Sequence, residues 1–203
     1  MRNLILGLLT VFFSGCATSS RFSHPEGQQR VLQHQRVAIL PFKVSFSDVY
    51  KQAMREGQVP WPEQERRAGI DLQRSAFEYL AKRANKKKYA ITVQDYKSTN
   101  RTLEEMGISY SELMGMDKGR VAQALGVDGV VFAHSEVAFD VHRFSMGMNG
   151  IETAMSLYDA NLGAEVWKQS TREYIRSRFD SPQELGRKSV SGLINSLPYK
   201  AVK

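Results

Sequence analysis

Hydrophobic positions along the chain form one continuous block near the start, then a series of short runs whose period alternates between 2 and about 3.6. The first run after the block, Arg36 to Lys43 (RVAILPFK), has an apolar centre from Val37 to Leu40, too short for a helix and closed by Pro41. It predicts a strand buried on both faces. An insertion from Val44 to Pro62, containing Gly57, Pro60, Trp61 and Pro62, separates it from a helical stretch, Glu63 to Ala84. There Ile70, Phe77, Leu80 and Ala84 fall on one stripe, with Glu65, Arg66, Arg74, Glu78 and Lys82 elsewhere. Tyr89 to Val93 alternates as a second strand, and two short helical patterns follow around Thr102 and Ser109.

Asp117 has the chemistry of an N-cap for the next helix, with Val121, Ala122 and Leu125 facing inward and Gly126 as the stop. Val127 to Val141 places Val131, Ala133, Val137, Phe139 and Val141 on one face, with Ser135 in the same register, and predicts a long strand. Ile151 to Tyr158 and Ala164 to Ile175, joined by Asn161-Leu162-Gly163, form a hairpin pattern. A last helix, Pro182 to Leu197, has Ser181 as N-cap and Glu184 in the capping-box position, with Leu185, Val190, Leu193, Ile194 and Leu197 on its apolar face. The order predicts an α/β (α+β) fold, a mixed β-sheet with helices packed on it.

The continuous block is Leu4 to Phe13, about ten residues that follow Arg2 and precede Ser14-Gly15-Cys16. It matches the positive, apolar and small-residue parts of an export signal and is too short for the roughly 20 residues that span a bilayer. Phe13-Ser14-Gly15-Cys16 resembles the bacterial lipobox, with Phe13 where Leu is usual, and makes Cys16 the expected lipidation site. Residues 1–15 would be the signal peptide. Residues 16–35, polar and interrupted by Pro25 and Gly27, would form the acylated N-terminus and a flexible tether with an r.m.s. span of roughly 25 Å, extendable to about 65 Å. Residues 36–203 would be a single domain. Two or three acyl chains, at about 0.8 kcal/mol per buried CH₂, make such an anchor effectively permanent. Ala17 rather than Asp after the cysteine favours the outer membrane by resemblance to enteric-type sorting rules, with the inner membrane as the lesser expectation.

Cys16 is the only cysteine of 203 residues, so no internal disulfide supports the domain. Net charge is +7, and with Arg2 lost the remainder keeps 27 Lys+Arg against 21 Asp+Glu. The densest basic run is Lys82 to Lys88. It suits the solvated end of a helix, where cations complement the dipole, or contact with anionic lipid or cell-wall polymer. An exported chain whose basic residues are not interleaved with stacking aromatics is no nucleic-acid binder.

Three stretches carry a family resemblance. Leu40-Pro41-Phe42 closes the first strand, Ala124-Leu125-Gly126-Val127-Asp128-Gly129-Val130-Val131 joins a helix to a strand, and Leu157-Tyr158-Asp159-Ala160-Asn161-Leu162-Gly163-Ala164-Glu165-Val166-Trp167 forms a hairpin. Together they resemble the periplasmic lipoproteins that include the curli-secretion (CsgG-like) proteins and the penicillin-binding-protein activators, over roughly residues 36–197. The resemblance implies an anticodon-binding-domain-like sandwich that binds another envelope protein and is not an enzyme. A homo-oligomeric secretion ring is the alternative, but the stretches 44–62 and 98–116 do not alternate as barrel hairpins would.

His24 and His34 fall in the expected tether. His134, Glu136, Asp140 and His142 could share one strand face, yet no zinc spacing occurs, and no GxSxG, P-loop or GxGxxG is present. No catalytic residue, metal or cofactor is expected. Trp61, between two prolines, and Phe144, Met146 and Met148 in a glycine-containing loop are the candidates for partner contact.

Overall fold

In the computed structural model, which describes residues 21–54, 57–86, 88–138, 149–176 and 180–199, the expected opening strand is split at Pro41. In chain order the elements are β1 (Arg21–Phe22), α1 (Gly27–Val31), β2 (Arg36–Ile39), β3 (Lys43–Phe46), α2 (Asp48–Met54) and α3 (Trp61–Asn85). Then come β4 (Thr92–Val93), α4 (Tyr96–Glu105), α5 (Tyr110–Gly115), α6 (Lys118–Ala124), β5 (Gly129–Ala138), β6 (Gly150–Asp159), β7 (Ala164–Tyr174) and α7 (Pro182–Ser196). Both β2 and β3 run parallel to β5, Ile39 opposite Val131 and Lys43 opposite His134, so four steps on one side face three on the other. Pro41, which lacks an N–H, occupies this bulge.

The backbone groups that the bulge frees are taken up by helices. Phe42 N–H donates to the Gly69 carbonyl at 3.3 Å, and the Tyr110 hydroxyl donates to the Phe42 carbonyl at 2.7 Å. Gly69 has to be glycine, since a Cβ there would lie 2.1 Å from the Phe42 oxygen. This is how α3 comes close enough to seal the sheet. Its buried stripe is Gly69, Leu72, Gln73, Ala76 and Leu80, with Ser75 buried beside it. That stripe is rotated from the expected one: Leu80 is shared, while Ile70, Phe77 and Ala84 are only partly buried. The buried polar member, Gln73, donates to the Ile39 carbonyl and exchanges amide hydrogen bonds with Asn100, so its burial leaves no unpaired group.

The sheet is mixed, in the order β1-β7-β6-β5-β2-β4 with β3 also beside β5; β5, β6 and β7 are antiparallel and β2 and β4 parallel to their neighbours. One face, bearing Ile39, Val131, Ala133, Val137, Met155 and Leu157, packs under α3 and α7. The other is covered by α4, α5 and α6 only where Ala38, Leu40 and Val130 lie, and further along β5 it exposes His134 and Glu136. The expected fold class is therefore the observed one.

The expected caps are in place: Asp117 accepts from Arg120 N–H, Ser181 accepts from Glu184 N–H, and Gly126 and Gly163 have φ of 65° and 63°. A reciprocal capping box forms at Ser109 and Glu112. The second strand is shorter than expected, since only Thr92 and Val93 pair, although Tyr89 and Ile91 are buried. Val44–Pro62, expected as a long insertion before the helix, holds most of β3, all of α2 and the first two residues of α3.

The largest correction concerns residues 21–35. They were expected to belong to the tether, but β1 pairs with β7, Gly27 of α1 sits against the Val166 carbonyl, and Val31 and His34 are buried. The reason is chemical pairing that hydropathy cannot register. The His34 ring lies between Asp159, 2.9 Å from Nε2, and Tyr199, 2.8 Å from Nδ1. Gly129 leaves room for it, because a Cβ there would come within 2.7 Å of the imidazole.

Candidate partner-binding cleft

At the far end of β3 and β5 the packing between sheet, α3 and α7 stops short, leaving a cavity of about 270 Å³. Its floor is apolar, from Val44, Leu72, Val137 and Ile151, with one polar pair: the Ser135 and Thr153 hydroxyls, buried and 3.0 Å apart. Alternation explains both. Ser135 and Val137 share the core face of β5, and Thr153 and Ile151 stand opposite them on β6.

Phe46 and Tyr50 form one wall, and Trp61 packs against both rings. Phe46 stacks at 5.1 Å from Tyr50 and 5.7 Å from Trp61, and Tyr50 is 6.0 Å from Trp61. Such pairs contribute roughly 0.5–1.5 kcal/mol beyond area burial. The wall is held by polar contacts. Ser47 accepts from Tyr50 N–H and starts α2, while Glu65 of α3 accepts from Phe46 N–H at 3.0 Å and pairs with Lys51 at 2.9 Å. Burial raises the Tyr50 hydroxyl above its ordinary range, so it is a neutral donor here.

The facing wall is the first turns of α7, where Gly186 lets the helix settle onto Leu72. Charged groups form the rim. Arg67 pairs with Glu63 at 2.7 Å, Asp71 pairs with Arg74 at 3.1 Å, and Arg187, exposed on α7, has no ion-pair partner among the described residues. Hydrogen bonds from Arg66 and Arg67 hold the Glu63 carboxyl down at about 2, so this part of the rim keeps its charges through physiological pH.

Of the sequence candidates, Trp61 packs against Phe46 and Tyr50 of this wall but does not itself line the cavity. Cys16, Phe144, Met146 and Met148 lie outside the described residues, as do Asp140 and His142. His134 and Glu136 lie on the open sheet face, away from the cleft, where the His134 ring meets Ser45 Oγ at 3.3 Å. Its proton affinity is lowered by burial and then by Lys43, against a smaller pull from Glu136. Among the described residues no three His, Cys, Asp or Glu side chains are grouped to hold a metal. Lys82 and Arg83 occupy the last turn of α3, with Lys86 and Lys88 beyond it.

Phe46, Tyr50, Arg67 and Arg187 were not singled out by sequence. The Ser47-Asp48 pair ahead of Val49 and Tyr50 is a readable helix start and could have placed Tyr50 opposite Phe46. Nothing local could have brought Arg187 across from Arg67.

No protein-family model matches the chain, and no curated protein sequence matches it. Among solved structures, it is similar to the lipoprotein GNA1162 of Neisseria meningitidis, with 15% identity over 80% of this chain and 95% of that one and a TM-score of 0.49. It is also similar to the PelC dodecamer from Paraburkholderia phytofirmans, with 13% identity, coverage of 84% and 90%, and a TM-score of 0.43. A third is the LpoB C-terminal domain from Salmonella enterica, with 13% identity, coverage of 74% and 93%, and a TM-score of 0.38.

Proposed function

We propose that this chain is an envelope lipoprotein, acylated on Cys16 and held on the periplasmic face of the outer membrane, whose domain binds another envelope protein as an assembly or activation factor without catalysing a reaction. The observation that carries the binding role is the composition of the cleft. It combines a preformed apolar floor, a Phe46-Tyr50 wall braced by Trp61 and arginines on both sides. Pockets that seat an anchor side chain have this make-up, and Trp, Tyr and Arg dominate the energetics of interfaces. The floor hydroxyls suit orientation rather than attack, since Ser135 and Thr153 bond each other and His134 projects from the opposite face.

The N-terminal pattern supports the location. Cys16 follows an apolar run of signal length and two small residues, and the first described strand starts five residues later at Arg21. A photo-crosslinking residue at Gln183, exposed on the cleft rim, should capture one specific envelope protein in intact cells, whereas the same residue at Lys97 should not. Equal, non-specific capture from both positions would sink the binding role. A Cys16→Ser variant that still took up labelled palmitate would sink the anchor.

A further inference from the structure

We infer that the free edge of β7, together with Phe22, lies against the bilayer surface, an inference that rests on acylation at Cys16. Five peptide units separate Cys16 from Arg21. Whatever their conformation, they span at most about 18 Å. A twenty-residue tether would let the domain turn freely and stand off from the membrane; this link does neither. The sheet runs five strand spacings from β1 to β4, about 24 Å, so the β4 edge cannot replace β1 and β7 at the membrane.

What the short link brings to the bilayer has interfacial chemistry. β1 covers β7 only at Trp167 and Lys168, and beyond that pair no described strand adjoins the outer side of β7. Lys168, Ser170, Arg172 and Tyr174 alternate along this strand and are all exposed on the open sheet face, where Arg172 pairs with Glu152, while Phe22, opposite Trp167, stands on the other face of the same edge. Tyr174 and Phe22 are 39% and 43% exposed, and among the described large rings only Tyr79 on α3 is as open. Aromatic rings and long basic stems settle at headgroup level, with the apolar part inward and the polar tip in water. The depth is limited as well: an unpaired strand edge cannot enter hydrocarbon, so the contact stays in the hydrated headgroup zone. There the bilayer shields an edge that would otherwise recruit another strand.

The test uses the full acylated chain in vesicles of phosphatidylethanolamine and phosphatidylglycerol, some lipids carrying a nitroxide on the headgroup. With Cys16 acylated, Ser170→Cys and Lys97→Cys each provide one free thiol for a bimane fluorophore. Protein that floats with the vesicles should show severalfold stronger quenching at position 170 than at 97. A Gly/Ser spacer of about twenty residues after Ala17 should abolish the contrast. Equal quenching at both positions in floated protein overturns the membrane-facing edge while leaving acylation intact. A contrast that survives the spacer overturns the short link as its cause. Protein that fails to float overturns the acylation reading and this inference with it.

Discussion

The sheet face under α3 and α7 closes at one end and stays open at the other. At the closed end His34 bridges Asp159 and Tyr199, and the Tyr89 hydroxyl donates to the Ile194 carbonyl at 2.9 Å. Asp159 also accepts from Leu162 N–H at 2.6 Å, so one carboxylate ties the N-terminal arm to the hairpin turn and, through His34, to the C-terminal segment. Burial, and then the adjacent Asp159 charge, raise the Tyr199 hydroxyl well above its ordinary range, which keeps it a neutral hydrogen-bonding group. At the open end the aromatic wall and α7 do not meet, and the rim charges face solvent. The same sheet and helices serve both ends. The difference lies in whether polar groups find partners within the chain, and it separates a stabilising end from a binding one.

Changes at the closed end should cost most. His34→Ala leaves Asp159 buried without its imidazole partner and opens a cavity, so unfolding free energy should fall by about 3–4 kcal/mol, read as a lower urea midpoint. Crosslinking from Gln183 should survive wherever the variant is folded. If the midpoint does not move, the closed end is not the stabilising one.

Next in size is the junction between the ends, where Tyr110 bonds the Phe42 carbonyl. Burial raises this hydroxyl to about 12 against an ordinary 10. The unfolded chain therefore releases the proton first as pH rises. Stability is unaffected below pH 10 and is lost between about 10 and 12, by about 2–3 kcal/mol for two pH units. Tyr110→Phe should cost about 1 kcal/mol at pH 7 and flatten that alkaline slope in denaturation curves.

At the open end Arg187→Glu should leave stability within about 0.5 kcal/mol and reduce partner capture roughly tenfold or more, the size expected for a rim-to-anchor arginine. A variant as unstable as His34→Ala would contradict the division of labour. The smallest effect belongs to His134. Its imidazole should titrate below 6.5 by NMR, and Lys43→Met should raise it only part of the way, since burial is the larger cause. Because folding disfavours its protonation, it detracts slightly from stability as pH falls below 6.5.

The elements whose cause is local were legible. Asp117, Ser181, Gly126 and Gly163 act through bonds to residues two to four positions away, and alternation in β5, β6 and β7 follows from the pleat. The sequence alone therefore determined the mixed sheet, the hairpin and the last helix. Trp61 was legible as a candidate, but its wall was not. Only tertiary structure decided that Gly69 must be glycine for the Phe42 carbonyl, that Gly129 must be glycine for the His34 ring, and that α3 turns Leu72 and Ala76 inward. The same holds for the arm at 21–35, which hydropathy marks as tether. Its buried histidine is held by residues 125 and 165 positions away, and packing between distant segments leaves no period in a sequence.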